Sequence, residues 1–248
     1  MKKLFYFATA FLFLFSCTKN SPKNPPPCRN IIPIDTFIAN HYTDDSKDLY
    51  LSEIYNDSSH FNFNNPVLDP VELQDVLGII QAVYNLQSTE SKAVFNQYKI
   101  HSRLCNLSHT VSIGVNVSAT EIINLANNKI PTGNVLLDNI LSTYHFDSVS
   151  HMFSIYDSTL PYLRIYTPNI YNLNPIINQL KTISTITMSE IGGRCYGDGD
   201  RIIMNRYTDS TLIDFSYGWG DCPSGCMSRY GWLFKVKCGV ASFVKNTY

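Results

Sequence analysis

The chain has 248 residues, 44% hydrophobic and 13% aromatic, with 19 Lys and Arg against 20 Asp and Glu and a formal net charge of −1. This composition excludes a disordered or fibrous chain and is ample for a buried core, in one large domain or two small ones. No polybasic run is present, which argues against nucleic acid as a partner.

The chain opens Met1-Lys2-Lys3 and is almost wholly apolar from Leu4 to Phe15 before Ser16-Cys17. That run is shorter than the roughly 20 residues a membrane span needs, and a basic start with a short apolar core reads as a secretory signal over residues 1–16. The ending "LFSC" resembles the lipobox of bacterial lipoproteins, which implies acylation at Cys17. Residues 17–30 then form a polar tether, in which three consecutive prolines favour an extended stretch. Attachment to the membrane is expected through the lipid, since several acyl chains hold firmly where one does not. Residues 31–248 are read as one α+β region, divided into a helical part at 31–110, a middle at 111–191 and a β-meander at 192–248.

In chain order, "DDSKDLYLSEIYND" has partial helical periodicity. The stretch "LDPVELQDVLGIIQAVYNL" carries the clearest helix signal: Asp69 can cap, Pro70 fits the first turn, and Glu72 can reach back as in a capping box. Leu73, Val76, Leu77, Ile80 and Tyr84 share one face. "AVFNQYKIHSRL" and "HTVSIGVNV" alternate as strands, the second with Val111, Ile113, Val115 and Val117 on one face. Ser118 and Glu121 suggest a capping box opening a short helix with Ile122, Ile123 and Ala126. "PTGNVLLDNILSTYHF" predicts a helix with Leu136, Leu137, Ile140, Leu141 and Tyr144 on its face. Strands follow in "SHMFSIY" and "YLRIYT", then a helix after Asn172 with Ile176, Ile177 and Leu180, then the strand "TISTITMSEI". The order over 111–191 is that of a split βαβ, or ferredoxin-like, unit.

Beyond Arg201 the pattern is strands only: "RIIMNRY", "TLIDFSYGW" and "MSRYGWLFKV" form an antiparallel meander that can continue the preceding sheet. With Cys17 lipidated, six cysteines remain, an even number that in an exported chain implies disulfides. The assigned pairs are Cys222 with Cys226, Cys195 with Cys238, and Cys28 with Cys105. Only the first has a local argument, two strand-end cysteines joined by Pro-Ser-Gly with Gly225 at a left-handed position.

The lipobox, "LGIIQAVYN", "KIH", "TGNVLLDNILSTY" and the "GWGDCPSGC" ending together resemble a group of exported proteins and lipoproteins from Bacteroidota with no established activity, which supplies no catalytic residues. The helix leading into "ITMSEI" is also similar to the end of subtilisin propeptide-like domains, with Ser189-Glu190 in place of Ala-Glu, and implies a peptidase-binding module.

"CPSGC" is one residue longer than Cys-x-x-Cys and is flanked by strands, so no helix N-terminus lowers a thiol pKa. Cys222 and Cys226 could supply two zinc ligands with Cys195 and Cys238, but a staple is favoured in an oxidising compartment. His41, His60, His101, His109, His145 and His151 form no compact metal pattern, although His101 and His109 could meet across a hairpin. "GDGD" at 197–200 lacks the distal ligands of a calcium loop and reads as a hairpin turn. No metal site, cofactor or catalytic residue is assigned. Trp219, Tyr217 and Tyr230 are the candidate binding residues, while Trp232 is assigned to the core. The expected protein is a lipid-anchored envelope protein, at the outer membrane on its periplasmic or surface face, acting as a non-catalytic module for a protein, peptide or glycan. The alternatives are an envelope hydrolase with dispersed catalytic residues and a purely structural lipoprotein.

Overall fold

The computed structural model describes residues 28–153, 161–193 and 197–247. It is α+β, with two four-stranded antiparallel sheets. The chain begins with two long helices, α1 (Thr36–Asn56) and α2 (Pro70–Asn85), then a short α3 (Thr89–Lys92) that runs into a π-helical turn at Ala93–Gln97. Next come β1 (Thr110–Val115), α4 (Thr120–Ala126), α5 (Val135–Thr143), β2 (Ser148–Phe153), β3 (Pro161–Tyr166), α6 (Leu173–Leu180) and β4 (Ile186–Ile191). The chain closes with β5 (Arg201–Arg206), β6 (Thr211–Trp219), β7 (Ser228–Lys237) and β8 (Val240–Thr247). Among the described residues no helix is long and apolar enough to cross a membrane.

These elements build two separate cores. In the first, Ile38 and Tyr42 of α1, Val76 and Ile80 of α2, and Phe95 pack on Ile213, Phe215 and Phe234 of the sheet ordered β5-β6-β7-β8. In the second, Val111, Ile113 and Ile165 of the sheet ordered β2-β3-β1-β4 pack on α4, α5 and α6 through Ile122, Leu137 and Ile176. Each fully buried large apolar side chain contributes on the order of 2 kcal/mol, so the stripes of α1 and α2 need a sheet to cover. The C-terminal meander is that sheet. It does not extend the preceding one, contrary to expectation, because its inward face is taken by the N-terminal helices.

The middle segment is therefore inserted into a lobe made from both ends of the chain. β1 and β4 are neighbouring strands, with Val111 opposite Ile191, and Ser108 Oγ donates to the Gly192 carbonyl at 2.6 Å, so the entry and exit of the insert meet. Asn172 ties the lobes a second time. Fully buried, it caps α6 through the Asn174 N–H, while its Nδ2 donates to the carbonyls of Asn62, Phe63 and Asn65.

Several local expectations need correction. α1 begins eight residues before the stretch that suggested it, capped by Asp35, whose carboxylate accepts from the Phe37 N–H. Buried Asp45, Ser46 and Asp48 interrupt its apolar periodicity, and the two carboxylates hold the 101–106 loop. "AVFNQYKIHSRL" is not a strand: Ser88 caps a helical turn there, and Val94 and Phe95 are buried through a π-helical turn. Neither capping box closes, since Glu72 pairs with Arg29 at 2.9 Å and Ser118 bonds Asn116. Asp69 does cap α2, donated to by the Val71 N–H at 2.8 Å. Ile123, Leu136 and Val117 are exposed. β8, for which no expectation was formed, completes the second sheet.

Two disulfides are defined, Cys222–Cys226 and Cys28–Cys238. The second rules out both Cys28–Cys105 and Cys195–Cys238. Its cause lies in the N-terminal segment, which packs its Asn30 carbonyl against Gly78 of α2, where a Cβ would meet that oxygen at 1.7 Å. Asn30 Oδ1 then accepts from the Gly239 N–H at 2.8 Å, bringing Cys28 to the β7–β8 turn. Cys105 is also disulfide-bonded. Cys17 and Cys195, with the leader and most of the tether, lie outside the described residues.

Candidate functional site at the hairpin tip

β6 and β7 are longer than their outer neighbours, and their last pair is Trp219 opposite Ser228. Alternation puts Phe215, Tyr217 and Trp219 on one face of β6, and the register sets Trp232 opposite Phe215 and Tyr230 opposite Tyr217. Aromatic rings therefore run from core to surface. Phe95, Phe215 and Phe234 lie inside, and Tyr98 bridges to Trp232 and Tyr217 at 5.3 and 5.1 Å between centroids. Trp219 stacks on Tyr217 at 5.7 Å and 20°. Trp232 is 6% exposed and belongs to the core, whereas Trp219 is 44% and Tyr230 36% exposed. The three candidate binding residues thus form one half-exposed ledge, to which the structure adds Tyr98, the residue that follows the π-helical turn. No local signal in the sequence marks Tyr98, because its neighbours come from strands more than a hundred residues away.

The opposite face of the same ribbon is clamped. Residues 197–200 are not a hairpin turn, since the strands on either side belong to different sheets. They lie against the back of the tip, where the Asp198 N–H donates to the Cys222 carbonyl at 2.6 Å. The Asp198 carboxylate accepts from Arg229 at 2.7 Å, from Arg201 at 2.8 Å and from the N–H groups of Gly199 and Cys226. Burial works to raise this carboxyl, but the Gly199 N–H, Arg229 and the Cys226 N–H outweigh it and hold it well below the usual carboxylate range. Arg229, in turn, donates to the Gly199 carbonyl and to Ser216 Oγ. Gly218 is required here: a Cβ would lie 2.6 Å from Cys226 Sγ and 3.1 Å from the Gly199 carbonyl oxygen.

The cysteines sit inside the loop between Trp219 and Ser228, not at facing strand ends as the spacing suggested. Turns at Asp221–Ser224 and Cys222–Gly225 fold the tip back, with Gly225 at φ +123°. Among the described residues no helix N-terminus adjoins the tip, and the two cysteines are joined to each other.

Elsewhere, several converging titratable groups pair with neighbours across the fold. His101 stacks on Tyr42 and bonds Asp45 at 2.7 Å, while His109 bonds the Thr167 carbonyl in the other lobe. Glu53 and Asp75 are bridged by Arg206. Among the described residues no group of three His, Cys, Asp or Glu could hold a metal ion. His151 has no described side chain. Comparison with protein-family models, with curated proteins and with solved structures finds no match to this chain.

Proposed function

We propose that the protein is a lipid-anchored component of the bacterial cell envelope, at the outer membrane, that works as a non-catalytic binding module through the ledge of Tyr217, Trp219 and Tyr230. The observation that carries this reading is the ledge itself: Trp219 stacked on Tyr217 with Tyr230 on the neighbouring strand, on a ribbon clamped from behind. Rigid aromatic faces bind at low entropic cost and are enriched at recognition surfaces. A glycan ring or a peptide side chain with a flat apolar face suits them.

The anchoring half of the proposal rests on the leader at 1–16, the lipobox cysteine Cys17 and the tether at 17–30, in keeping with the resemblance to exported Bacteroidota lipoproteins. The clasp at Cys28–Cys238 supports it further. β7 spans ten residues from Ser228 to Lys237, roughly 30 Å at about 3.4 Å per residue. The tether therefore enters at one end of this strand and the ledge lies at the other, a geometry suited to presenting the ledge away from the membrane. For the inserted lobe we propose the ferredoxin-like plan, supported by the order β2-β3-β1-β4 and helices between β1 and β2 and between β3 and β4.

The test is a titration of the mature chain with soluble peptidoglycan fragments, which carry sugar and peptide together, read by tryptophan emission. Trp219 is the exposed reporter and Trp232 the buried one. A saturable shift is expected that weakens at least tenfold in Tyr230→Ala, and heat of binding by calorimetry is expected to be lost in Trp219→Ala, with stability changed by no more than about 1 kcal/mol. No shift with these fragments, together with recovery of only lipid when the protein is captured from its own envelope, overturns the proposal.

A further inference from the structure

A groove runs along the free edge of β5, on the flank of α1. β5 is the terminal strand of its sheet. The Tyr207 N–H donates to the Ser210 carbonyl at 2.8 Å, which sets the phase of the ladder. By antiparallel alternation, residues 201, 203 and 205 exchange bonds with β6, and the backbone N–H and C=O groups of Ile202, Met204 and Arg206 point outward. No strand pairs with them among the described residues. α1 lies alongside, and a cavity of about 620 Å³ is lined by residues 202–207 and by Asp48, Ser52, Glu53 and Asp57 of one helix flank. A second cavity of about 340 Å³ shares Asp48, Ile202 and Ile203 and continues past Asp198 and Asp200.

The charge of this groove is net negative, since Arg206 offsets only one of the three carboxylates in its first part. Asp48, Glu53 and Asp57 line its first part, and α1 ends there with no basic residue in its last turn, so the negative end of the helix dipole adds to them. The arginines along it are engaged: Arg206 with Glu53 and Asp75, Arg201 with Asp198, and Arg103 with the Gly197 carbonyl.

We propose that this groove binds an extended peptide carrying Lys or Arg, which adds to β5 as a further strand. Its main chain would pair with Ile202, Met204 and Arg206, and its basic side chains would lie over Asp57 and the C-terminal end of α1. Strand addition takes affinity from main-chain hydrogen bonds and specificity from side-chain complementarity, and a helix beside the edge restricts entry to a single chain. The site is independent of the aromatic ledge and of the anchor.

The experiment is fluorescence anisotropy of the mature chain, disulfides intact, with a labelled seven-residue peptide of alternating lysine and valine. Saturable binding is expected, with none for the glutamate-valine peptide and at least tenfold weaker binding when alternate lysine-valine amides are N-methylated. Met204→Pro removes one outward N–H without breaking a bond to β6, a change tolerated on edge strands. It is expected to weaken binding at least tenfold, Asp57→Asn about threefold, and Trp219→Ala not at all. Three results overturn the proposal: no saturable binding, equal affinity for the N-methylated peptide, or a dimer in sedimentation that Met204→Pro dissolves, which would make a second copy the occupant.

Discussion

Asp198 belongs to a four-residue run of glycine and aspartate whose composition suggests a turn, yet its carboxylate organises the hairpin tip. Its consequence is a defined pH response. A carboxyl held below its unfolded value, about 3.9, stabilises the fold above that value and loses its contribution as pH falls through the folded one. Acidification from pH 5 to 2 is therefore expected to loosen the tip, seen as lower protection of the Gly199 and Cys226 amides relative to their intrinsic exchange rate. Asp198→Asn removes that acid limb. It also removes the carboxylate that pairs with the nearly buried Arg229 at 2.7 Å, read as tip exchange already fast at neutral pH.

At the level of elements, α1 shows why a helix can be hard to read. Its inward face carries Asp45 and Asp48 among Ile38, Tyr42 and Leu49, because those carboxylates accept from Ser102, Asn106 and His101 of a loop distant in sequence. The hydrogen bond that His101 donates to Asp45 is the main reason the His101 pKa is raised, against a smaller opposing effect of burial. A raised folded value means the contribution is complete below about pH 6.5, the unfolded value, and fades as pH climbs through the folded one. His60 acts in the other direction, since burial lowers its pKa. The comparison that isolates His101 is denaturant unfolding of wild type and His101→Gln between pH 6 and 9, where the variant is expected to lose the part of the decline that His101 causes. An unchanged slope would remove His101 from the account.

Over the whole molecule, the two defined disulfides have different tasks. Cys28–Cys238 closes a separation of 210 residues and Cys222–Cys226 one of 4. Chain entropy assigns about 5 kcal/mol to the first and about 2 kcal/mol to the second. The double variant Cys28→Ser/Cys238→Ser is accordingly expected to lower Tm by roughly 10 °C or more. Cys222→Ser/Cys226→Ser is expected to shift it by less than half as much while raising exchange at the tip. Equal shifts for the two would show that the long clasp is not what joins the ends of the outer lobe.

Most elements are legible in the sequence because their signals are local. Asp69 and Pro70 start α2, Asn134 and Asn172 cap the helices they precede, and alternation in "HTVSIGV" and "TLIDFSYGW" marks strands whose inward residues are buried. Tyr217, Trp219 and Tyr230 are candidates from the sequence, the register sets Tyr230 opposite Tyr217, and the structure adds Tyr98. The division into two cores, the partner of Cys28, the clamp of Asp198 on Arg229 and the free edge of β5 are not legible, since each joins residues far apart in the chain. Secondary structure and the candidate ledge were determined by the period of the side chains along the backbone. Which sheet covers α1 and α2, and what is left open around it, was decided only when helices from the start of the chain and strands from its end buried their apolar faces together.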